Sequence, residues 1–257
     1  MDLNDTKILI QVRTGSSRLP NKMVMPFDQE FTILEIIVSN LLQCFKPDQI
    51  IIATTVNPKD DILEKIAKKL NINYYRGSEH DVLDRFIKAA ESFNAVNIIR
   101  ICADNPLLQV DYVKILVDKY LEQNHQYDYL SFSFPDNTPV IKSHLGLFAE
   151  ATNISALRKV NTLTDDMFYH EHVTNYMYSN PSIFKIGLLE LPEILQQRKD
   201  LRLTIDTKED FEIVQEVFKN TKNDDDYMIP ITSIISYVDN NKNLFNLMQN
   251  EITRNAK

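Results

Sequence analysis

Glycine is scarce in this chain. It occupies only 4 of the 257 positions, namely Gly15, Gly77, Gly146 and Gly187. With so few, each is expected to stand where the backbone passes close to another group or where φ is positive. The first predicted strand is also not followed by Gly-x-Gly-x-x-Gly, which argues against a dinucleotide-binding dehydrogenase.

Cysteines and long apolar runs are equally sparse. Cys44 and Cys102 are the only cysteines, too few for a disulfide framework, which favours a reducing cytosol. No apolar run approaches the roughly 18 residues that a transmembrane helix needs. The N-terminal residues have neither a basic start nor an apolar core, so no signal peptide is expected. These features predict a cytoplasmic protein with no membrane segment.

Positive charge is in deficit. The chain has 28 Lys and Arg against 36 Asp and Glu, which gives a net charge of −8. A nucleic-acid-binding protein would need a basic face, so nucleic acid is not expected as a partner. A hydrophobic content of 44% and a charged content of 25% are ordinary for a soluble protein. The length suits one large α/β domain.

Strands and helices alternate in the first half. Apolar runs predict strands at 8–12, 49–55, 73–76 and 97–101, and helical spacing predicts helices at 32–45, 58–70, 82–93 and 110–123. Such strands, apolar nearly throughout and separated by helices, indicate a parallel sheet that is covered on both faces. Ligands of such sheets bind beyond the carboxyl ends of the strands.

The second half has a looser pattern. We expect strands at 129–134, 146–150, 183–189 and 201–205, and helices at 153–160, 166–178, 231–247 and directly after Asp206. The acidic run at 224–226 is expected to be a solvated loop. No repeat or linker divides the chain, so the prediction is one domain over residues 1–257.

Three cations surround a loop of small residues after the first predicted strand. Arg13, Arg18 and Lys22 flank the tripeptide Gly15-Ser16-Ser17. Backbone N–H groups in such a loop can point at phosphate oxygens, and the cations can neutralise them. The residues alone leave two interpretations open: an anion-binding loop, or a solvated loop whose charges aid solubility.

Five segments carry a family resemblance, and together they cover roughly residues 8–218. They read QVRTGSSRLPNK, RGSEHDVLDRF, RICADNP, EHVTNYMY and LRLTIDTKEDFE. In this order and spacing they resemble the cytidylyltransferases of the spore-coat-polysaccharide type, relatives of the acylneuraminate and 3-deoxy-octulosonate (Kdo) cytidylyltransferases. The resemblance implies a glycosyltransferase-A-like fold with a mixed, mainly parallel sheet. It also implies a nucleotide-binding half at about 1–125 and an acceptor-binding half at about 126–257.

The resemblance implies a CTP-dependent nucleotidyltransferase that releases pyrophosphate and makes an activated sugar for a surface glycan. Arg13, Lys22 and Asp104 are then the expected catalytic residues. The expected nucleotide-binding residues are Gln11, Arg13, Gly15, Ser16, Ser17, Arg18, Lys22, Ser78, Asp81 and Arg85. Asp81 could equally be a simple helix cap, and Asn21 stands where the family has glycine, a position that Asn can fill with positive φ.

Mg²⁺ is the cofactor that the resemblance implies, with Asp104 and Asp206 as ligands. Each of these residues follows a predicted strand, and Mg²⁺ favours one or two carboxylates together with phosphates and waters. The plainer alternatives are a turn residue for Asp104 and a helix N-cap for Asp206. Asp210 is expected to be an ordinary helix residue, and Arg100, inside a strand, is expected to form a buried structural pair.

The acceptor is the least defined part of the prediction, since residues 136–152 diverge most from the family. Candidate acceptor-binding residues are Lys142, His144, Glu150, Glu171 and His172. The acceptor could be a sugar or a sugar phosphate, and the chain could assemble as a homodimer. Alternatives are a nucleotidyltransferase for GTP or another triphosphate, a nucleotide-sugar-dependent glycosyltransferase, and a catalytically idle nucleotide-binding protein. The glycosyltransferase is disfavoured because Asp104-Asn105-Pro106 lacks an Asp-x-Asp pair.

Overall fold

The structure is a computed structural model that describes residues 5–122, 126–223 and 227–255. Its strands are β1 (Thr6–Gln11), β2 (Pro26–Asp28), β3 (Phe31–Thr32), β4 (Ile50–Thr55), β5 (Asn73–Gly77), β6 (Asn97–Cys102), β7 (Tyr129–Ser133), β8 (Glu150–Asn153) and β9 (Ile186–Glu190). Its α-helices are α1 (Ile33–Leu42), α2 (Asp61–Lys69), α3 (Val82–Ser92), α4 (Val110–Glu122), α5 (Ile154–Leu163), α6 (Met167–Glu171), α7 (Asn175–Ser179), α8 (Lys208–Thr221), α9 (Ile231–Asn240) and α10 (Lys242–Arg254).

Seven strands form one mixed sheet in the order β5-β4-β1-β6-β8-β7-β9. Strand β8 is antiparallel to β6 and β7, and the other paired strands are parallel. The carboxyl ends of β1, β4, β5, β6, β7 and β9 therefore lie at the same edge of the sheet. The predicted α/β fold with a mainly parallel sheet is confirmed.

Two apolar clusters cover the two faces of this sheet. Ile8 and Ile10 of β1 belong to the cluster that includes residues of α1, α4, α8 and α9. Leu9 belongs to the cluster that includes residues of α3, α5 and α7. This division follows from the alternation of side chains along a strand, and it places helices on both faces, as predicted.

Several boundaries in the second half differ from the prediction. Residues 201–205 do not form the predicted strand, although Leu203 N donates to His144 O at 2.9 Å and Ile205 N to Asp104 O at 2.9 Å. The predicted helix at 166–178 is broken into α6 and α7, because Val173 between them has a φ of 40°. The predicted terminal helix is divided into α9 and α10 at Asn241.

Two predicted strands are shifted, with β8 beginning at Glu150 and β9 at Ile186. The acidic run at 224–226 lies outside the described residues. Within the described ranges, no helix combines the length and apolar character needed to cross a membrane.

Gly146 and Gly15 show where the expectation about glycine holds and where it fails. Gly146 has a φ of 62°, and a Cβ there would lie 2.9 Å from both Asn105 Oδ1 and Thr204 N. A Cβ on Gly15 would meet nothing closer than Glu79 Oε1 at 3.7 Å. The space beside Gly15 is therefore open, and the expectation of crowding or positive φ is wrong at that position.

Candidate active site

The loop after β1 is fixed from below by a buried carboxylate. Asp60, which is 2% exposed, accepts hydrogen bonds from Thr14 N at 2.8 Å and Thr14 Oγ1 at 2.6 Å. Thr55 Oγ1 at the end of β4 donates to the other oxygen of the same carboxylate. Asp60 thereby connects the loop to the neighbouring strand and limits its movement.

The loop then turns back on itself. Ser16 N at 2.9 Å and Asn21 N at 3.0 Å both donate to Thr14 O. Asn21 has a φ of 63°, the left-handed conformation that glycine or asparagine adopts most easily. The expectation that Asn21 adopts a positive φ is therefore confirmed.

Lys22 brings the loop to the two carboxylates that were predicted as metal ligands. Its ammonium group is 3.9 Å from Asp104 Oδ2 and 4.0 Å from Asp206 Oδ1, and it donates to Ile205 O. Lys22 is only 8% exposed, so its charge acts in a site that is shielded from bulk water. Residues from three distant parts of the sequence converge here.

Arg18 joins the same group from the exposed side. Its Nη2 is 3.0 Å from Asp206 Oδ1, and its Nη1 donates to Asn255 Oδ1 just beyond α10 at 3.3 Å. Arg18 and Lys22 of the loop are thus paired with the carboxylates of the two opposite loops.

Asp206 is positioned by a buried ion pair beneath it. Arg202 donates from Nε to Asp210 Oδ1 at 2.6 Å and from Nη2 to Asp210 Oδ2 at 2.7 Å, and both residues are 1% exposed. Asp206 N donates to Asp210 Oδ2 at 2.9 Å. Burial alone would raise the pKa of the Asp210 carboxyl, but the Arg202 and backbone hydrogen bonds outweigh it, and the pKa is lowered.

Asp210 was expected to be an ordinary helix residue, and this expectation is wrong. Together with Thr207 it forms a capping box at the start of α8, and its second oxygen also holds the backbone of Asp206. Sequence reasoning gave no reason to connect it with Arg202, because their contact is made by a loop whose path is set by the tertiary fold.

The donor set at this edge of the sheet fits a magnesium ion. Asp104 and Asp206 supply carboxylate oxygens and are partly exposed, at 30% and 17% of their side-chain surface. The described part of the chain has no group of three or more His, Cys, Asp or Glu side chains that could hold a metal. Two carboxylates with open positions for phosphate and water suit Mg²⁺, which seldom occupies an all-protein cage.

Arg13 points to the other side of the loop. Its Nη2 is 3.1 Å from Glu171 Oε1 at the end of α6, and its Nη1 donates to Glu79 O at 3.3 Å. Both Arg13 and Glu171 are substantially exposed, at 36% and 50% of their side-chain surface. Arg13 therefore remains accessible to a ligand beside the loop.

Ser78, Asp81 and Arg85 lie at the start of α3. Asp81 caps this helix by accepting from Asp84 N at 2.8 Å, and its other oxygen is 2.9 Å from His170 Nδ1. These contacts match the capping interpretation of Asp81 and leave its carboxylate little capacity for a nucleotide. Ser78 Oγ accepts from Asp81 N at 3.0 Å, which further stiffens the turn.

Arg85 is a buried cation with few partners. It is 1% exposed, it donates from Nη1 to Ser78 O at 2.6 Å, and its Nε has no hydrogen-bond partner among the described residues. Burial, followed by repulsion from Arg13, lowers the pKa of Arg85 to about 10. Asp60, Asp81 and Glu79 lie close enough to offset part of this charge, so Arg85 belongs to a mixed group of charges beside the loop.

Arg100 forms the buried pair that was expected. Its Nη1 donates to Glu150 across the β6–β8 pairing, and Glu150 also accepts from Tyr129 Oη at 2.8 Å and Thr174 Oγ1 at 2.9 Å. Gln11 accepts from Arg100 on the other side. The Glu150 carboxylate is therefore fully occupied inside the fold, and the prediction that it binds an acceptor is wrong.

The other residues predicted to bind the acceptor differ in their exposure and in their contacts. His144 is buried, and its Nδ1 is 2.6 Å from Arg202 Nη1, which contradicts the prediction that it meets an acceptor. Lys142 is exposed, and its Nζ lies 5.1 Å from the centre of the Tyr178 ring. Glu171 contacts Arg13, while the exposed His172 packs its ring on Phe168 at 4.7 Å.

Sequence reasoning missed Asp60, Arg202 and Asp210 as parts of the site. None of them contacts the open space directly; they hold Thr14 and Asp206 in place. The Asn57-Pro58 helix start did indicate that Asp60 lies near the end of β4. Nothing in the local sequence indicated that it reaches Thr14, 46 positions away.

Comparisons with known proteins identify the family of the chain. The model of the family described as "Cytidylyltransferase" matches residues 7–248. The spore coat polysaccharide biosynthesis protein SpsF of Bacillus subtilis (strain 168) is 33% identical over 224 residues, which cover 84% of this chain and 88% of that protein.

Solved structures share the fold. A cytidylyltransferase from Leptospira borgpetersenii has a TM-score of 0.83 and 27% identity, covering 94% of this chain and 96% of that one. A CMP-2-keto-3-deoxy-manno-octonic acid synthetase solved with CTP has a TM-score of 0.60 and 15% identity, covering 84% and 98%, and shows the fold alone. Since the family model spans nearly the whole chain, the protein belongs to the cytidylyltransferase family and is a nucleotidyltransferase enzyme.

Proposed function

We propose that this enzyme transfers CMP from CTP to a sugar or sugar-phosphate acceptor, with Mg²⁺ as cofactor and pyrophosphate as the leaving group. The observation that carries this proposal is the cluster of Arg18, Lys22, Asp104 and Asp206 at the carboxyl ends of β1 and β6. Cations and metal-type carboxylates within one site are what an Mg²⁺–triphosphate complex requires. The name of the Bacillus subtilis relative supports a role in polysaccharide synthesis.

In this proposal the loop after β1 holds the triphosphate. Arg13, Arg18 and Lys22 neutralise the β- and γ-phosphates, and residues Gly15, Ser16 and Ser17 offer N–H and hydroxyl donors. Ser78 and the buried Arg85 line the nucleotide half of the site at the start of α3. Asp81 acts here through its helix cap and its contact with His170 rather than through the ligand.

Asp104 and Asp206 would hold the Mg²⁺ ion. When bound, the metal supplies positive charge to the phosphate oxygens. The residues of the chain align the α-phosphorus with the acceptor oxygen. The acceptor oxygen forms a new bond to the α-phosphorus as the bond to the pyrophosphate oxygen breaks, and an acceptor that is a hydroxyl passes its proton to water. Arg13, Arg18 and Lys22 stabilise the charge on the departing pyrophosphate.

The acceptor half of the site is proposed to lie beside β7 and β9. An open cleft of about 430 Å³ is lined there by residues that include Asp136, Thr138, Lys142 and Tyr178. Lys142 over the Tyr178 ring offers a cation beside an aromatic surface. Glu171, which pairs with Arg13, and its neighbour His172 are further acceptor candidates in this proposal.

Pyrophosphate release tests this function. The wild-type enzyme is incubated with Mg²⁺, each of the four nucleoside triphosphates, and a panel of neutral sugars, acidic sugars and sugar phosphates. We expect release with CTP and with one class of acceptor only. Release with GTP, ATP or UTP but not with CTP would show that the enzyme uses a nucleotide other than CTP. No release with any triphosphate, together with an unchanged melting temperature in CTP, would reject the proposal.

A further inference from the structure

Gln11 stands between the two loops of the site. It is the last residue of β1, and its neighbours in register are Ala53 of β4 and Cys102 of β6. Arg13 follows it by two positions, and Asp104 follows Cys102 by two positions. A ligand that contacts both the loop after β1, which carries Arg13, and the loop after β6, which carries Asp104, must therefore pass close to Gln11. Gln11 is partly exposed.

The orientation of the Gln11 amide is determined by Arg100. Both Arg100 Nε, at 3.0 Å, and Arg100 Nη2, at 2.8 Å, donate to Gln11 Oε1. A guanidinium has donors only, so the amide cannot turn its NH₂ group toward Arg100. The NH₂ group must lie on the opposite side of the amide, and no described residue accepts a hydrogen bond from it.

Arg100 is itself held rigidly. Arg100 Nη1 donates a hydrogen bond to the Glu150 carboxylate, which also accepts hydrogen bonds from the hydroxyl groups of Tyr129 and Thr174. Arg100 and Glu150 are 6% and 2% exposed. Burial opposes the charge on Arg100, but nearby negative groups, Glu150 among them, raise its pKa further above the ordinary arginine value. The guanidinium therefore stays charged and remains a pure donor.

Stability alone does not account for such a pair. Removing two charges from water costs about as much as their attraction returns, and apolar replacements of buried pairs are often neutral or stabilising. A buried Arg–Glu pair that spans from β8 to the end of β1 does provide one property that apolar side chains lack. It selects one of the two orientations of the Gln11 amide.

We propose that Gln11 binds the nucleotide by donating a hydrogen bond from its NH₂ group to a nucleotide oxygen, and that Arg100 is the positioning residue for this donor. The inference rests on the proposed function, since it assumes that CTP occupies the site. We choose the nucleotide as the acceptor of this hydrogen bond because Gln11 ends β1, the strand that leads into the loop proposed to hold the triphosphate. Its side chain also shares a face of the sheet with Leu9, which packs in the same cluster as α3.

Two substitutions separate the donor from the other properties of Gln11. Gln11→Met removes the donor and the acceptor for Arg100 but adds no charge. Gln11→Glu removes the donor, keeps an acceptor for Arg100 and adds a negative charge. Loss of the donor is the one change common to both, so titration calorimetry with CTP and Mg²⁺ should show weaker binding in both, by about three- to tenfold.

Other outcomes contradict the inference. Wild-type CTP affinity in Gln11→Met would mean that no donor is needed, and wild-type affinity in Gln11→Glu would mean that only the packing around Arg100 matters. Melting temperatures of both variants show whether the fold is retained. Absence of CTP binding by the wild-type protein would instead reject the proposed function, so the two failures can be told apart.

Arg100→Lys tests the positioning role. Lysine keeps a charge for Glu150 but lacks the forked donor edge that fixes the amide. We expect Arg100→Lys to weaken CTP binding in the wild-type background and to add nothing in the Gln11→Met background. A merely structural role for Arg100 predicts the same loss in both backgrounds, and that result would overturn the assignment.

Discussion

At the scale of single residues, the site depends on how its charged side chains are paired. Lys22 lies about equally far from Asp104 and Asp206, and Arg18 contacts Asp206 directly. These contacts reduce repulsion between the two carboxylates, and they hold the cations close to where phosphates are proposed to bind.

Asp104→Asn and Asp206→Asn test the metal-binding role. Each change removes a charge while nearly preserving shape, so we expect turnover to fall by about 10²–10³, as it does when one preorganised electrostatic group is lost. Initial rates of pyrophosphate release with saturating CTP provide the measurement. Asp118→Asn, on the exposed side of α4, is the matched control and should keep the wild-type rate. A variant of Asp104 or Asp206 with that rate would exclude the residue from the site.

The site residues that could be predicted are those that lie beside a recognisable pattern in the local sequence. Arg13, Arg18 and Lys22 flank a small-residue loop, and Asp104 and Asp206 follow predicted strands, so their convergence follows from sheet topology. Asp60 and Arg202 have no such signal, because each acts through a contact made only in the folded chain. Glu150 and His144 were misassigned for the same reason, since their partners come from other strands and loops.

At the scale of elements, Gly146 keeps the loop that carries Asp104 close to the segment that leads to Asp206. Its positive φ and the atoms around it leave no room for a side chain, because a Cβ there would lie 2.9 Å from both Asn105 Oδ1 and Thr204 N. Asn105 belongs to the Asp104 loop, and Thr204 lies two residues before Asp206. Gly146 thus lies where the two carboxylate-bearing segments meet.

Gly146→Ala should therefore affect both stability and activity. Strain at a positive φ costs about 1–3 kcal/mol, and the crowding adds to it, so we expect a lower midpoint in urea unfolding and a lower kcat. Gly15→Ala is the matched control for stability, because the space beside Gly15 is open. Equal unfolding midpoints for Gly146→Ala and the wild type would show that the contact is less tight than described.

Helix α6 is attached to α3 through His170. Its Nδ1 is 2.9 Å from Asp81 Oδ2 and its Nε2 is 2.9 Å from Thr164 O. A carboxylate and a carbonyl can only accept, so both ring nitrogens are best satisfied as donors in the imidazolium. Burial lowers the pKa of His170, but the bonds to Thr164 and Asp81 and the nearby Asp165 outweigh it, and the pKa is raised.

This contact predicts a pH dependence of stability. Because the folded-state pKa of His170 lies above its unfolded value of about 6.5, its contribution is fully present below about pH 6.5 and is lost as the pH rises through the folded-state pKa. The free energy of unfolding, measured in urea at a series of pH values, should fall less steeply with pH in His170→Gln than in the wild type. His80→Gln, at an exposed histidine, should retain the wild-type slope. Identical slopes for His170→Gln and the wild type would contradict the account.

The elements of the first half were predicted well and those of the second half less so. Continuous apolar strands and helical spacing define β1, β4, β5 and β6 and the helices between them. The break between α6 and α7 was not foreseeable, because Val173 is a β-branched residue and such residues seldom adopt positive φ. That conformation is imposed by its buried surroundings, where Thr174 contacts Glu150.

At the scale of the whole molecule, an acidic protein presents a small cationic site. The net charge of −8 excludes broad attraction for polyanions, so a triphosphate must be recognised by a local group of side chains. The seven-stranded mixed sheet gathers that group by aligning the carboxyl ends of β1 and β6 side by side. The sequence pattern predicted a strand near β8 but not its antiparallel direction, and β8 brings Glu150 alongside Arg100 of β6.

The central claim is that this edge of the sheet binds CTP together with Mg²⁺. A calorimetric titration of CTP into the wild-type protein, with and without Mg²⁺, tests it most directly. We predict one saturable site per chain that is tighter with Mg²⁺, and at 100 times the dissociation constant the ligand should stabilise the fold by about 2.7 kcal/mol. Absence of saturable CTP binding in the presence of Mg²⁺ would contradict the account.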